Sequence, residues 1–142
     1  MNEPVKWTKN NMPATDCSKS LALLTLPEME KAHRFHRSFP QYEETPLADL
    51  SRLAAYLGIK GLYVKDESFR FGLNAFKVLG GSYAIAKYIA RRLGKDIAET
   101  GYETLISGET KQKLGDITFY TATDGNHGRG VAWAANKLRQ KS

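Results

Sequence analysis

Between residues 76 and 93 the apolar positions follow a helical period. Phe76, Leu79, Tyr83, Ala86, Ala90 and Leu93 form one stripe, and Val78, Ile85 and Ile89 form a second. An apolar arc this wide predicts a helix buried over most of its girth, with Gly94 as its stop. A shorter helical pattern covers 28–39 and ends at Pro40. After a turn at Thr45-Pro46, a helix carries Leu50, Leu53, Ala54 and Leu57 on one face and closes at Gly58. Residues 62–65 read as a short strand followed by polar Asp66-Glu67-Ser68, and 117–122 as a second strand. The intervening 96–113 suggests a weak helix and a polar loop. A sharp turn over 123–128 leads into a last helix containing Val131, Ala134, Ala135 and Leu138. Residues 1–27, polar and holding three prolines, read as a weakly structured arm.

Helix, strand, helix, strand, helix is the order of an α/β fold with parallel strands. Two strands are too few for such a sheet, which takes helices on both faces. Residues 28–142 are therefore expected to be one portion of a larger fold, cut after a single βα unit. That length still suffices for a real core.

Composition narrows the class. Hydrophobic residues make up 42% and charged residues 25% of the chain, which indicates a globular rather than a disordered protein. No apolar run reaches bilayer length, and the polar N-terminus lacks a secretory core, so the cytoplasm is the expected compartment. The single cysteine, Cys17, excludes an internal disulfide framework. A net charge of +6 and a pI near 9.4 raise the question of nucleic acid. The excess is dispersed, or lies at Lys137, Arg139 and Lys141 and around Lys87, Arg91 and Arg92, without interleaved aromatics. It reads as a solvated face, with no nucleic-acid or membrane partner expected.

Two places can carry chemistry. Lys77 opens the buried helix, where partial desolvation and the positive end of the helix dipole both disfavour its ammonium form. A neutral amine there is suited to condense with a carbonyl. On that stretch alone, a lysine covering apolar surface with its head in water accounts for it better. The second place is Thr123-Asp124-Gly125-Asn126-His127-Gly128, where a strand, a glycine turn and a helix start favour anions and polar ligand groups. Asp124 or Asn126 acting merely as a helix cap is the plainer account of either residue by itself. His33 and His36 sit one turn apart with no third ligand, and read as solvated rather than metal-binding. Neither a nucleophile elbow nor a P-loop ending is present.

Taken together, "VKDESFRFGLNAFKVLGGSYAIA" and "TATDGNHGRGVAWAA" resemble the fold-type II pyridoxal phosphate enzymes, and within them the diaminopropionate ammonia-lyases. The resemblance runs from about Tyr42 to Leu138. It implies an α/β fold with a parallel or mixed sheet and flanking helices, present here in part. It implies pyridoxal 5'-phosphate as cofactor, a small amino-acid substrate and a homodimeric parent. Lys77 would be the Schiff-base lysine, Phe76 would pack the cofactor pocket, and Asn126 would bond the pyridine 3-hydroxyl with Gly125 keeping that approach open. Asp124 stands where most relatives carry a small residue. Its carboxylate would take the α-proton of the D isomer of 2,3-diaminopropionate, and Lys77 that of the L isomer from the other face. The products would be pyruvate and two ammonia. The family's phosphate-binding loop, second acidic residue and pyridine-nitrogen partner lie outside this chain, which would hold about half of a site. Another fold-type II lyase or racemase, a basic binding module, and a gene fragment without independent function remain the other readings; Asp124 argues against the first.

Overall fold

The computed structural model describes residues 8, 9, 11, 12, 21, 24–123 and 125–142. The expected arm over 1–27 therefore falls mostly outside the described residues, and so does Asp124.

Helix α1 spans Leu26–Arg37, with a proline in its first turn, Glu28 near its positive end and Arg34, His36 and Arg37 near its negative end. It buries Phe35 and His36, and Ser38 follows as C-cap. Strand β1 (Leu47–Asp49) pairs antiparallel with β2 (Tyr63–Lys65), Ala48 facing Val64. Between them lies helix α2 (Ser51–Tyr56), which buries only Ala54. Gly58 ends this segment with φ 66°, a left-handed conformation that glycine adopts freely. A 3-10 segment, Glu67–Gly72, breaks at Arg70 and Phe71, and leads into helix α3 (Val78–Arg92). Two short helices, α4 (Tyr102–Ile106) and α5 (Gly108–Leu114), replace the single weak helix expected over 96–113. Ser107 separates them; its extended backbone ends α4 and its hydroxyl caps α5 by accepting from the Thr110 N–H at 3.1 Å. Helix α6 (Asn126–Lys137) closes the chain.

The core follows from the apolar stripes. Ile85, Ala86, Ile89, Ala90 and Leu93 of the α3 segment meet Phe35 and Phe39, and Val131, Ala134 and Leu138 from the α6 segment. Phe39, Phe71 and Trp133 stack against one another at the edge, with ring centroids 4.7 to 5.7 Å apart. No helix among the described residues is long and apolar enough to cross a membrane.

The architecture is mixed helix and sheet, but the strand pairing differs from the expected parallel pair. Strand β2 finds its partner in β1, a strand the hydrophobic pattern missed because Leu47-Ala48-Asp49 is too short to show an alternation. Residues 117–122 form no ladder. They make one parallel bridge, Thr118 with Lys141, because no further strand among the described residues lies beside them.

Candidate active site

Among the described residues, α3 and α6 make the most extensive contact between elements. Their crossing is built on glycine. A Cβ added to Gly130 would stand 2.8 Å from Val78 Cα and 3.0 Å from Val78 N, so the two backbones touch there. Gly81 faces Val131 in the same seam, with a Cβ just accommodated at 3.4 Å from Val131 Cγ2. This contact fixes the first turn of α6 against the first turn of α3. Lys77, the residue before Val78, and Asn126, the first residue of α6, therefore emerge at the same end of the helix pair.

Lys77 occupies the N-cap position of α3 with helical dihedrals (φ −59°, ψ −19°). Its side chain is exposed, not partly desolvated as expected, and makes no hydrogen bond or ion pair within the described residues. Phe76 beside it is 60% exposed and presents an uncovered aromatic face. Neither residue is enclosed by the described residues.

At the other helix start, Gly125 is the N-cap residue with φ 145° and ψ −87°, a backbone state in which a side chain is strained. A Cβ built there meets nothing within 4 Å among the described residues. Thr123, which the sequence placed in the turn without a role, organises it. Its Oγ1 accepts from the N–H of Gly125 at 3.1 Å and of Gly128 at 2.8 Å. The close approach needs glycine at 128, where a Cβ would come within 2.3 Å of Thr123 Cγ2. Capping thus falls to Thr123 rather than to Asn126, whose exposed amide has no partner among the described residues. Exposed backbone donors at the start of α6 and the open Asn126 amide suit an anionic or phenolic oxygen. The Lys77 amine suits an aldehyde carbon. That donor set fits a pyridoxal group.

Behind the site lies a buried charge cluster that sequence reading did not single out. Arg70 donates to Glu67 through Nε (2.8 Å) and Nη2 (2.9 Å), and to the Glu43 carbonyl and Thr45 Oγ1 at 3.1 Å each. The Thr45 hydroxyl donates to Glu67 at 2.6 Å, and Lys65 donates to the Thr45 carbonyl. The Arg70 guanidinium, aided by the Thr45 hydroxyl, holds the Glu67 carboxyl at about 2 against the resistance of its partial burial. The cluster clamps the segment leading to Lys77 onto the stretch before β1. A buried arginine beside an acid three residues earlier, as in "ESFR", was its available sequence signal.

His36 corrects the sequence reading. It is not solvated but 7% exposed, and its Nε2 lies 3.0 Å from the Leu79 carbonyl and 3.1 Å from Ser82 Oγ. Burial pushes its pKa below the ordinary value, opposed by the Leu79 and Ala32 carbonyls and aided by Arg70. It anchors α1 to the first turn of α3. His33 is exposed as expected and meets the Tyr42 hydroxyl at 3.2 Å. Among the described residues no cluster of His, Cys, Asp or Glu could hold a metal.

The Lys77 amine and the start of α6 at Asn126 thus lie at one end of a glycine-packed helix pair in a mixed helix-and-sheet fold. Residues 39–141 match the pyridoxal-phosphate dependent enzymes, and the chain belongs to that family. It is 54% identical over its whole length to the diaminopropionate ammonia-lyase of Salmonella typhimurium, covering 35% of that protein. Identity to the enzyme of the same name from Escherichia coli is 47%, over 84% of this chain and 29% of that one. The crystal structure of the E. coli enzyme in apo form superposes with a TM-score of 0.75 at 47% identity, over 83% of this chain and 31% of that one. The same enzyme in complex with an aminoacrylate-PLP azomethine reaction intermediate gives 0.71 at 45% identity, over 83% of this chain and 28% of that one. The chain thus spans about a third of the length of the curated relatives it matches.

Proposed function

We propose that this chain is the N-terminal portion of a pyridoxal phosphate-dependent carbon–nitrogen lyase that converts 2,3-diaminopropionate and water to pyruvate and two ammonia. The observation that carries the reading is the Gly130–Val78 contact, which brings the Lys77 and Asn126 positions to one end of the helix pair in a chain so similar to diaminopropionate ammonia-lyases. Lys77 Nζ holds the cofactor's aldehyde carbon and, once released, moves the α-proton of the L isomer. The Asn126 amide donates to the cofactor's phenolic oxygen. Gly125 would leave room for that oxygen, and Phe76 would help pack the cofactor pocket. Asp124, outside the described residues, takes the α-proton of the D isomer. The cofactor supplies an electron sink for the charge left at Cα, which lets the β-amino group depart. A homodimeric parent belongs to the same proposal and rests on the sequence resemblance, and a cytoplasmic location on the sequence composition. With Lys77, Phe76 and Asn126 all exposed, the chain by itself is expected to bind cofactor weakly and turn over little substrate.

Borohydride reduction in the presence of pyridoxal phosphate, followed by peptide mapping, tests the assignment. The pyridoxyl group is expected on Lys77, and Lys77→Ala is expected to lose it. Label scattered over surface lysines, or no label at all, would remove Lys77 from this role.

A further inference from the structure

The C-terminal half of α3 meets the first turns of α1 through charged side chains. Glu28 and Lys31 of α1, Lys87 and Arg91 of α3, and Lys95 and Asp96 just after α3 line a cavity of about 220 Å³. Cations outnumber carboxylates there, and Lys31 answers both carboxylates. Its Nζ donates to Glu28 Oε1 at 2.8 Å and lies 3.8 Å from Asp96 Oδ2. Asp96 Oδ1 accepts from the Ala98 N–H at 2.7 Å. Lys87 comes no nearer than 4.0 Å to Glu28 Oε2. The Arg91 and Lys95 side chains have no hydrogen bond or ion pair among the described residues. Lys87 and Arg91 stand one helical turn apart, where like charges repel unless an anion lies between them. Arg92 is engaged elsewhere, donating to the Tyr88 hydroxyl at 3.2 Å and lying over the Tyr88 ring. The basic stretch of α3 is therefore not one uniform solvated face.

An apolar groove adjoins the cavity. It measures about 360 Å³, shares Glu28 and Lys87 with the cavity, and is otherwise lined by Met29, Ala32, Gly80, Ala84 and Tyr83. Lys87 Nζ lies 5.5 Å from the centre of the Tyr83 ring. The Tyr83 hydroxyl is buried and lacks a hydrogen-bond partner among the described residues. Burial, and after it the Glu28 carboxylate, push its pKa up, so it remains a donor.

We propose that the cavity binds the phosphate of a small phosphate monoester whose organic part lies in the Tyr83 groove. Lys87, Arg91 and Lys95 leave positive charge for a dianion, and the planar Arg91 fork suits two oxygens of one phosphate. Cations gathered around one compact cavity match clustered phosphate oxygens better than the separated charges of a dicarboxylate. The groove gives the ester apolar surface that inorganic phosphate cannot use. Arg91 lies about 20 Å along α3 from Lys77, so a ligand here touches none of the groups assigned to the cofactor.

The test is titration of the nitrogen-15-labelled chain with inorganic phosphate and with phenyl phosphate, at ionic strength held constant with sodium chloride. Saturable amide shifts are expected around 28–31, 87–91 and 95–97, with phenyl phosphate binding about tenfold more tightly. Arg91→Gln is expected to weaken both probes about tenfold. Arg92→Gln removes the same charge one residue away and is expected to change neither, and circular dichroism is expected to be unchanged by both substitutions. No saturable binding, shifts confined to the start of α6, or equal weakening by Arg91→Gln and Arg92→Gln would overturn the proposal. Succinate binding as tightly as phenyl phosphate, or equal affinity for phenyl and inorganic phosphate, would overturn the phosphate monoester as the ligand. Neither probe carries an aldehyde, so these outcomes do not depend on Lys77 or on the proposed activity.

Discussion

His36 is the residue whose charge state the fold controls most directly. The side chains packed around it include Phe35, Phe71 and Tyr83, and the nearest other titratable groups are Arg70 and His33. Desolvation dominates, so the folded pKa lies below the ordinary 6.5 and the unfolded chain takes up a proton first on acidification. The stability that neutral His36 contributes is complete above 6.5 and is lost as pH falls from there toward the folded value. Glu67 and Asp116, both held at about 2, lose theirs in a separate window between about pH 4.5 and pH 2. Urea unfolding at about pH 7.5 and about pH 5.5 separates the two windows. The wild-type midpoint is expected to fall between these conditions, and His36→Gln to show a smaller fall. Equal falls would mean that another group titrates there. This residue was misread from sequence because its spacing from His33 suggests a helix surface. What buries it is α3, packed against α1 through Leu79 and Ser82, 43 and 46 residues away.

At the scale of elements, the glycine seam decides whether the two helix starts stay together. Gly130→Ala places a methyl group 2.8 Å from Val78 Cα, against backbone that cannot rotate away. Overpacking of this kind costs about 2 kcal/mol, and relief requires the helices to separate. Thermal melts are expected to register that loss, and borohydride labelling at Lys77 to fall with it. Gly80→Ala is the control: nothing lies within 4 Å of its Cβ, and helix propensity favours alanine by about 1 kcal/mol. If Gly130→Ala melted like wild type, the backbone contact would have no structural role. The three long helices were legible because each buries a 3.6-residue stripe within this chain, and Gly58 and Gly94 mark real ends. The strand over 117–122 carries the right pattern but lacks neighbours, and β1 lacks the pattern but has one. A strand exists only through its partner, so local sequence reads it poorly. In the candidate site, Lys77, Gly125 and Asn126 were legible as a group. Thr123 and Gly130 were not, since their roles depend on contacts across the turn and the helix pair.

For the whole molecule, the balance between core and surface is unusual. Among the described residues Leu47, Tyr56, Tyr63, Phe69, Phe76 and Tyr120 are all more than half exposed. They fall on the β1–β2 ribbon, on α2, on the Glu67–Gly72 segment, beside Lys77 and on the 117–120 segment. Exposed large apolar side chains in this number take up hydrophobic dyes and lower solubility, despite the help of a net charge of +6. The isolated chain is therefore expected to enhance anilinonaphthalene sulfonate fluorescence strongly at neutral pH, while keeping its helical circular dichroism and a cooperative melt. A native-like melt separates this outcome from a molten globule, which also binds the dye but has lost fixed packing. Enhancement no greater than that of a compact protein of equal size would mean that the apolar patches are already covered in solution.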